Sequence, residues 1–459
     1  MQPLGSLLLA AAAGLAQATL QIVPGATWTA TNTGKHVQAH GAGMIQVGGT
    51  YYMIGEDKTG GSAFQNVNCY SSTNLVEWTY VGALLSQTAS GDLGPNRVVE
   101  RPKVIYNNAT QKYVMYLHID NSGYSEAKVG VATSDTVCGK YTYLKSFRPL
   151  DFESRDIGLF KDDNGAGYLL TEDRKNGLRI DALSSDYLSV ASSTYLWREA
   201  IESPAILKKN GYYFIYATSL TGPWSGWKTF APSGSKTFNS QTNYILPLGG
   251  NDAIYMGDRW ISSNLMRSTY VWLPLSISGT TISMSDRVNW VPDVAAGTWA
   301  AGPSETSAEG ESGTMAGGAK TLSCGSCSGG TSVGYIGGTL TLGGIKSSRA
   351  GRTTLRIKYL NGDSSQRSAV VTVNGQSQTV AFLPSENGNS TPATSVVHAQ
   401  LNAGSGNTIV IAGVGEGLMG QTLIGSWCRI TDRATSRRDE HNVTVSANMT
   451  SLSLNLVLL

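Results

Sequence analysis

Four polar side chains recur at one place in a repeating pattern. Glu100, Asp156, Glu202 and Gln241 each stand at the head of a separate repeat, next to a strand-like run. Carboxyl groups are unfavoured at such positions unless something nearby uses them, so four in register point to a shared cavity. Two carboxyl groups around one cavity can divide acid and base work. One keeps its proton and gives it to a departing oxygen, while a base on the opposite face activates water. That is the chemistry of glycosidic-bond hydrolysis. Glu202 precedes Ser203-Pro204 and an apolar run, and apolar surroundings would keep its proton on, as an acid requires. A charged Asp156 in the neighbouring repeat would reinforce that. No nucleophile elbow precedes an ordered Asp and His, which sets aside a serine hydrolase.

The elements that must position these groups are short strands. Between residues 21 and 299 a loose unit repeats five times: a polar opening, an apolar strand, a tight turn, a Tyr-rich return strand and a third strand. Tyr51-Tyr52-Met53-Ile54, Tyr113-Val114-Met115-Tyr116 and Tyr212-Tyr213-Phe214 are three of the return strands. Five such units predict an all-β chain whose first part is a five-bladed β-propeller, with each innermost strand starting at the axial channel. The fourth unit is short, and its Tyr212 strand runs almost directly into Thr218 to Trp224. Residues 300–320 are rich in Gly, Ser, Ala and Glu and predict a linker. Residues 321–425 alternate again, with an Asn374-Gly375 hairpin signal, and predict a β-sandwich of jelly-roll type. Residues 426–459 look unlike what precedes them and predict a poorly packed tail.

The 459 residues allow two or three domains. A net charge of +2 with 14% charged residues argues against a nucleic-acid partner. Residues 1–18 read as a secretory signal peptide, with an apolar run ending at Ala16-Gln17-Ala18. No other segment is long enough to span a membrane, so the expected product is a secreted, extracellular monomer. Of the five cysteines, Cys69 and Cys138 are expected to bridge neighbouring sheet units. Cys324 and Cys327 lack the further ligands that a zinc or redox site needs, and Cys428 is left over.

The motifs also carry a resemblance. Gln38 to Gly43, Gly55-Glu56-Asp57-Lys58, Val99-Glu100-Arg101-Pro102-Lys103, Ser154-Arg155-Asp156, Glu202-Ser203-Pro204, Ser240-Gln241 and Tyr255 to Trp260 resemble glycoside hydrolase family 43, in particular its fungal exo-β-1,3-galactanase branch. The resemblance implies an inverting, cofactor-free enzyme that releases galactose or short galactose units from the ends of a polysaccharide, β-1,3-galactan. It implies Glu202 as general acid, Asp156 as the residue that tunes it, and Gln241 in place of a base. Glu100, Glu56 and Tyr124 match substrate-contacting positions. The family's usual aspartate base has no counterpart, because His40-Gly41 stands there. A neutral amide is a poor base, so a tautomer or a relayed proton would be needed. Through Glu309 to Gly313, Gly334-Tyr335-Ile336-Gly337 and Tyr359 to Asp363, the second domain resembles carbohydrate-binding module family 35. In that module Glu309 and Glu311 match calcium-binding positions, although two carboxylates serve equally as a solvated acidic stretch.

Two departures from the family stand out: the short fourth unit removes a segment that lines the sugar pocket, and the chain end differs. The first predicts a damaged pocket wall and weakened activity. The alternatives are a sugar-binding protein of the same fold with impaired catalysis, and another family 43 activity on arabinan or xylan side chains.

Overall fold

The computed structural model describes residues 19–214, 219–250, 252–334, 337–386 and 391–414, with the backbone of 422–425 and 428–430. The signal peptide expected at 1–18 and most of the tail expected at 426–459 lie outside the described residues. The chain is all-β. Its first sheet is the antiparallel meander β1 (His40–Val47), β2 (Thr50–Glu56), β3 (Asn66–Ser72) and β4 (Thr79–Ser86). The second is β5 (Arg97–Asn107), β6 (Lys112–Asn121), β7 (Lys128–Ser134) and β8 (Thr142–Phe147). The third is β9 (Ile157–Lys161), β10 (Gly167–Asp173), β11 (Gly177–Leu183) and β12 (Val190–Trp197). The fourth has only β13 (Leu207–Lys209) and β14 (Tyr212–Phe214) among the described residues. The fifth is β15 (Gln241–Pro247), β16 (Asp252–Arg259), β17 (Thr269–Ser278) and β18 (Thr281–Met284). The β13–β14 turn is Asn210-Gly211, with φ of 51° and 78°. This is the pair of positive φ values that a two-residue hairpin requires and that Asn-Gly supplies.

Burial explains how the sheets assemble. Near-continuous buried runs, as in β6 and β7, leave these sheets with two faces to cover, and neighbouring sheets cover them in turn. Ile54 and Val67 of the first sheet share a core with Val99 and Met115 of the second. Val114 and Tyr116 meet Leu159 and Leu169 of the third. Leu170 and Ile180 meet Tyr213 of the fourth, and Leu207 and Phe214 meet Tyr255 and Leu273 of the fifth. Met256 and Trp272 of the fifth return to Met44 and Met53 of the first. The cores therefore form a cycle. The first strands lie side by side within it, β1 next to β5 and β15, and β5 next to β9.

Beyond residue 305 two further sheets share one core. Leu340, Val371 and Ile409 come from one sheet, and Leu355, Ile357 and Val397 from the other. Asn374-Gly375 makes the expected hairpin, with φ of 50° and 83°. The linker expectation for 300–320 is corrected here. Thr306–Ala308 pairs with Cys428–Ile430, and Thr314–Ala316 pairs with Thr339, Leu340 and Thr341. Strands of three residues are too short to display an alternation, so their small-residue composition read as linker. Cys428–Ile430 also pairs with Arg356 and Ile357, so the backbone of this part of the supposed tail joins a sheet.

The segment before β1 ties the two regions together. Gln21 N donates to Thr354 Oγ1 at 2.8 Å, Thr27 N to Thr394 O at 2.7 Å, and Ala381 N to Thr29 Oγ1 at 3.0 Å. Cys69 and Cys138 form the expected disulfide between the first and second sheets. Cys324 and Cys327 also pair with each other, which accounts for both thiols without a metal.

Candidate active site

Arg101 organises the centre of the cycle. It sits on β5 at a register shift between Glu100 and Lys103, with φ of 52°. A left-handed conformation is costly for a side chain with a Cβ and persists only when the surroundings over-determine it. Here they do. Glu56 Oε1 accepts the Arg101 backbone N–H at 2.8 Å. The guanidinium pairs through Nε with Asp156 Oδ1 at 2.7 Å, and donates through Nη2 to Gln241 Oε1 and Ser203 Oγ, both at 2.7 Å. Its Nη1 donates to Thr242 O at 2.9 Å. One planar fork borne by the second unit thus reaches the third, fourth and fifth, a geometry that lysine cannot reproduce.

Asp156, just ahead of β9, uses its other oxygen on the fourth unit: Oδ2 accepts the Ser203 N–H at 3.0 Å and the Ser203 hydroxyl at 2.9 Å. The neighbouring Glu202 is partly exposed. Its Oε1 accepts from Arg174 Nη2 at 3.1 Å and its Oε2 from Gln241 Nε2 at 3.2 Å. The expected apolar surroundings of Glu202 are corrected by these two N–H donors. Gln241 Oε1 also accepts from Trp260 Nε1 at 2.9 Å. Immediately before Gln241, Lys236, Thr237, Phe238 and Asn239 all have φ between 48° and 58°. Four successive left-handed residues hold strain of about 1–2 kcal/mol each at the entry to this strand.

A second group of charges lines the far wall. Glu100 Oε1 accepts the Tyr124 hydroxyl at 2.9 Å, and its Oε2 lies 3.3 Å from His118 Nδ1. Burial would raise the Glu100 carboxyl, but the His118 hydrogen bond and the Lys58 charge outweigh it and hold it at about 2. Burial favours a neutral His118, yet Asp120 and Glu100 on either side raise it to about 9. Glu56 lies against Lys58 Nζ at 2.5 Å. Burial pushes the Glu56 carboxyl up, and the Lys58 ammonium opposes this. Where the family would place its base, His40 Nδ1 meets Asp258 Oδ1 at 3.2 Å, and Gly41 N donates to Asp258 Oδ2 at 2.6 Å. Gly41 must be glycine, since a Cβ there would sit 2.2 Å from Glu56 Oε1. Lys103 Nζ donates to Gly41 O at 2.7 Å; burial first, then the Arg101 charge, pushes this ammonium down to about 7.

All six residues expected around the cavity, Glu56, Glu100, Tyr124, Asp156, Glu202 and Gln241, line a single hollow of about 340 Å³. Beside it lies a larger cavity of about 650 Å³, walled by residues 229–237 ahead of β15. The two share Glu202, Gln241 and Trp260. Sequence reasoning did not single out Arg101, His118, Arg174 or Trp260. A buried arginine inside a strand motif was the available signal, because it demands partners. Glu309 and Glu311 lie in the second region. They accept hydrogen bonds from Ser328 Oγ at 3.0 Å and Thr331 Oγ1 at 2.6 Å. No group of three or more His, Cys, Asp or Glu that could hold a metal occurs among the described residues. The calcium expectation is therefore not supported by the donor set present.

Residues 36–231 match the profile described as glycosyl hydrolases family 43. An exo-β-1,3-galactanase from Phanerochaete chrysosporium, solved with galactose, is 39% identical, with a TM-score of 0.63 over 89% of this chain and 99% of that one. The chain belongs to glycosyl hydrolase family 43. A putative exo-β-1,3-galactanase from Bifidobacterium bifidum is 36% identical to this family 43 enzyme, covering 58% of it and 97% of the bacterial chain, with a TM-score of 0.56. Residues 339–421 match the description "Alpha-galactosidase, CBM13 domain". The expected family 35 module is thereby corrected to a CBM13-like one; part of the motif taken for family 35, Glu309 to Gly313, lies outside the matched residues. Among curated proteins none matches. Among the described residues no helix is long and apolar enough to cross a membrane.

Proposed function

We propose that this family 43 enzyme is an exo-acting, inverting hydrolase of β-1,3-galactan, built as a five-bladed propeller over about residues 21–299 and followed by a sugar-binding β-sandwich. The cyclic sequence of shared cores supports the propeller, and the two sheets around one core support the sandwich. The fungal relative, with one glutamate replaced, has been solved with β-1,3-galactotriose, which supports the choice of glycan. Two disulfides fit an oxidising compartment and so support export.

The observation that carries this reading is the hydrogen-bonded chain Asp156–Arg101–Gln241–Glu202, contributed by four different units around one hollow. In the reaction Glu202 gives its proton to the glycosidic oxygen as the bond to the terminal sugar breaks. Asp156, fixed by Arg101 and Ser203, orients the segment bearing that acid and adds the negative charge that keeps its proton on. Gln241 occupies the place of a base and orients the attacking water through its amide; because a neutral amide takes up no proton, the proton that water loses as it bonds to the anomeric carbon is relayed to solvent. Glu100, Glu56 and Tyr124 hold sugar hydroxyls on the opposite wall. Product analysis on linear β-1,3-galactan with anomer detection, beside Glu202→Gln, tests the reading. Galactose released as the inverted anomer by the wild type and not by the variant is the expected result. Release of pentoses from arabinan or xylan instead would overturn it.

A further inference from the structure

Arg174 stands between two carboxyl groups. Its Nε donates to Glu172 Oε1 at 3.3 Å and its Nη2 to Glu202 Oε1 at 3.1 Å. Glu172 lies on β10 and is 1% exposed, and its Oε2 has no hydrogen-bond partner among the described residues. A bare buried carboxylate oxygen is costly unless it carries the proton. Burial first, then the Asp156 charge, pushes the Glu172 carboxyl up to about 7, with Arg174 opposing. Arg174 itself is 57% exposed, so packing does not explain its placement. Resting on the reading of Glu202 as the acid, we propose that Arg174 is a positioning residue that sets the pH range over which Glu202 holds its proton, with Glu172 as its buried anchor and counterweight.

The guanidinium favours the Glu202 carboxylate and so opposes proton retention. Glu172, once ionised, competes for that cation and adds a like charge, and both effects return the proton to Glu202. The other charges around the pair have partners of their own. Asp156 is held by Arg101. Arg155, from the segment before β9, is held by Asp120 and Glu153. Asp173, beside Arg174, lies 3.5 Å from Arg179 on β11. Gln241, from β15, is neutral and occupies Glu202 Oε2. Lys175, the next residue after Arg174, adds a charge on its own turn.

The test is the pH dependence of kcat/KM on β-1,3-galactotriose. It is paired with a carboxyl titration of the ¹³C-glutamate-labelled protein, in which Glu202→Gln assigns the Glu202 signal. Arg174→Gln should move the basic limb and the Glu202 titration upward by about one pH unit, the low end of a charge contact because the site is wet. Glu172→Gln should move both downward by a fraction of a unit. Arg174→Lys should stay near the wild type, since it keeps the charge. Unchanged titration in Arg174→Gln would overturn the proposal, as would a lysine variant that shifts as far as the glutamine one. A wild type that leaves galactotriose intact would sink the hydrolase reading alone, because the titration still reports on Arg174. Arg174 is exposed, so its variants keep the core, and a thermal melt checks this.

Discussion

Gln241 Nε2 donates to Glu202 Oε2 at 3.2 Å, while Gln241 Oε1 accepts from Arg101 and Trp260. Both of those partners are donor-only groups, so the amide cannot be flipped without losing two hydrogen bonds. The same pair disfavours the O–H tautomer of the amide in this arrangement, because that hydroxyl would face two donors. Gln241 therefore presents N–H to the acid. Gln241→Glu would place a carboxylate oxygen there instead. Two such oxygens in contact must share a proton, so the basic limb of the kcat/KM profile should rise by about a unit or more. A profile that superimposes on the wild type would show that this contact does not set the proton on Glu202.

Arg101→Lys should be far more damaging than its charge conservation suggests. Lysine can replace one of the contacts to Asp156, Gln241, Ser203 and Thr242 but not all of them. Disrupting a buried ion pair of this kind costs about 3–5 kcal/mol of stability. Losing the alignment of Gln241 and Asp156 should lower kcat by roughly a hundredfold. Denaturant unfolding and single-substrate kinetics report the two effects separately. A variant with wild-type stability and kcat would remove Arg101 from the centre of the site.

Glu172 makes a prediction about stability that is separate from catalysis. Its carboxyl is raised to about 7 in the folded protein, against about 4.3 in an unfolded chain. Between those values the folded state binds more protons than the unfolded state, so stability falls as pH rises from about 4.5 through 7. Glu172→Gln keeps the shape and the bond from Arg174 but cannot ionise. It should stabilise the protein at pH 8 by up to about 3–4 kcal/mol, read as a higher Tm, and leave the Tm at pH 4 unchanged. Equal Tm values at pH 8 would show that Glu172 ionises at little cost.

The sequence register made Asp156, Glu202 and Gln241 legible, because each opens a repeat and each repeat delivers its opening residue to the same axis. Arg101 was not legible as an organiser. Its place inside a strand motif signals a need for partners, but those partners lie 45 to 142 residues away, so nothing local says which they are. Glu172 was hidden for a related reason, since it sits inside β10, where periodicity reports only a strand. The apolar environment expected for Glu202 followed from its sequence neighbours, but its spatial neighbours, Arg174 and Gln241, come from other units. The supposed linker failed at the level of length: three-residue strands carry almost no pattern, and their partners at 339–341 and 428–430 supply the reason they are extended.

The Cys69–Cys138 disulfide closes a loop of 69 residues between the first two sheets. Chain-entropy arguments give about 4 kcal/mol for a loop of that length. Cys69→Ser with Cys138→Ser should lower the midpoint of thermal unfolding by several degrees and leave KM for galactotriose unchanged, because neither cysteine approaches the hollow. Loss of sugar binding in the folded double variant would show that the bridge also shapes the site.

The fourth unit is where this chain should respond most to repair. Among the described residues it offers only β13 and β14, and the cavity of about 650 Å³ walled by residues 229–237 shares Glu202, Gln241 and Trp260 with the central hollow. In the proposed reading, a terminal sugar held by Glu100, Glu56 and Tyr124 on one wall meets this open space on the other. Such a sugar keeps freedom that must be lost again on the way to the transition state, and misplacement by about 1 Å costs about a hundredfold in rate. Inserting after Ala217 the strand and pocket-lining segment that the family resemblance implies at this place should close that wall. The expected result is a rise in kcat on β-1,3-galactan of tenfold or more, with Glu202→Gln abolishing activity in both backgrounds. Equal turnover by the native and repaired chains would mean that the present walls already hold the sugar in place.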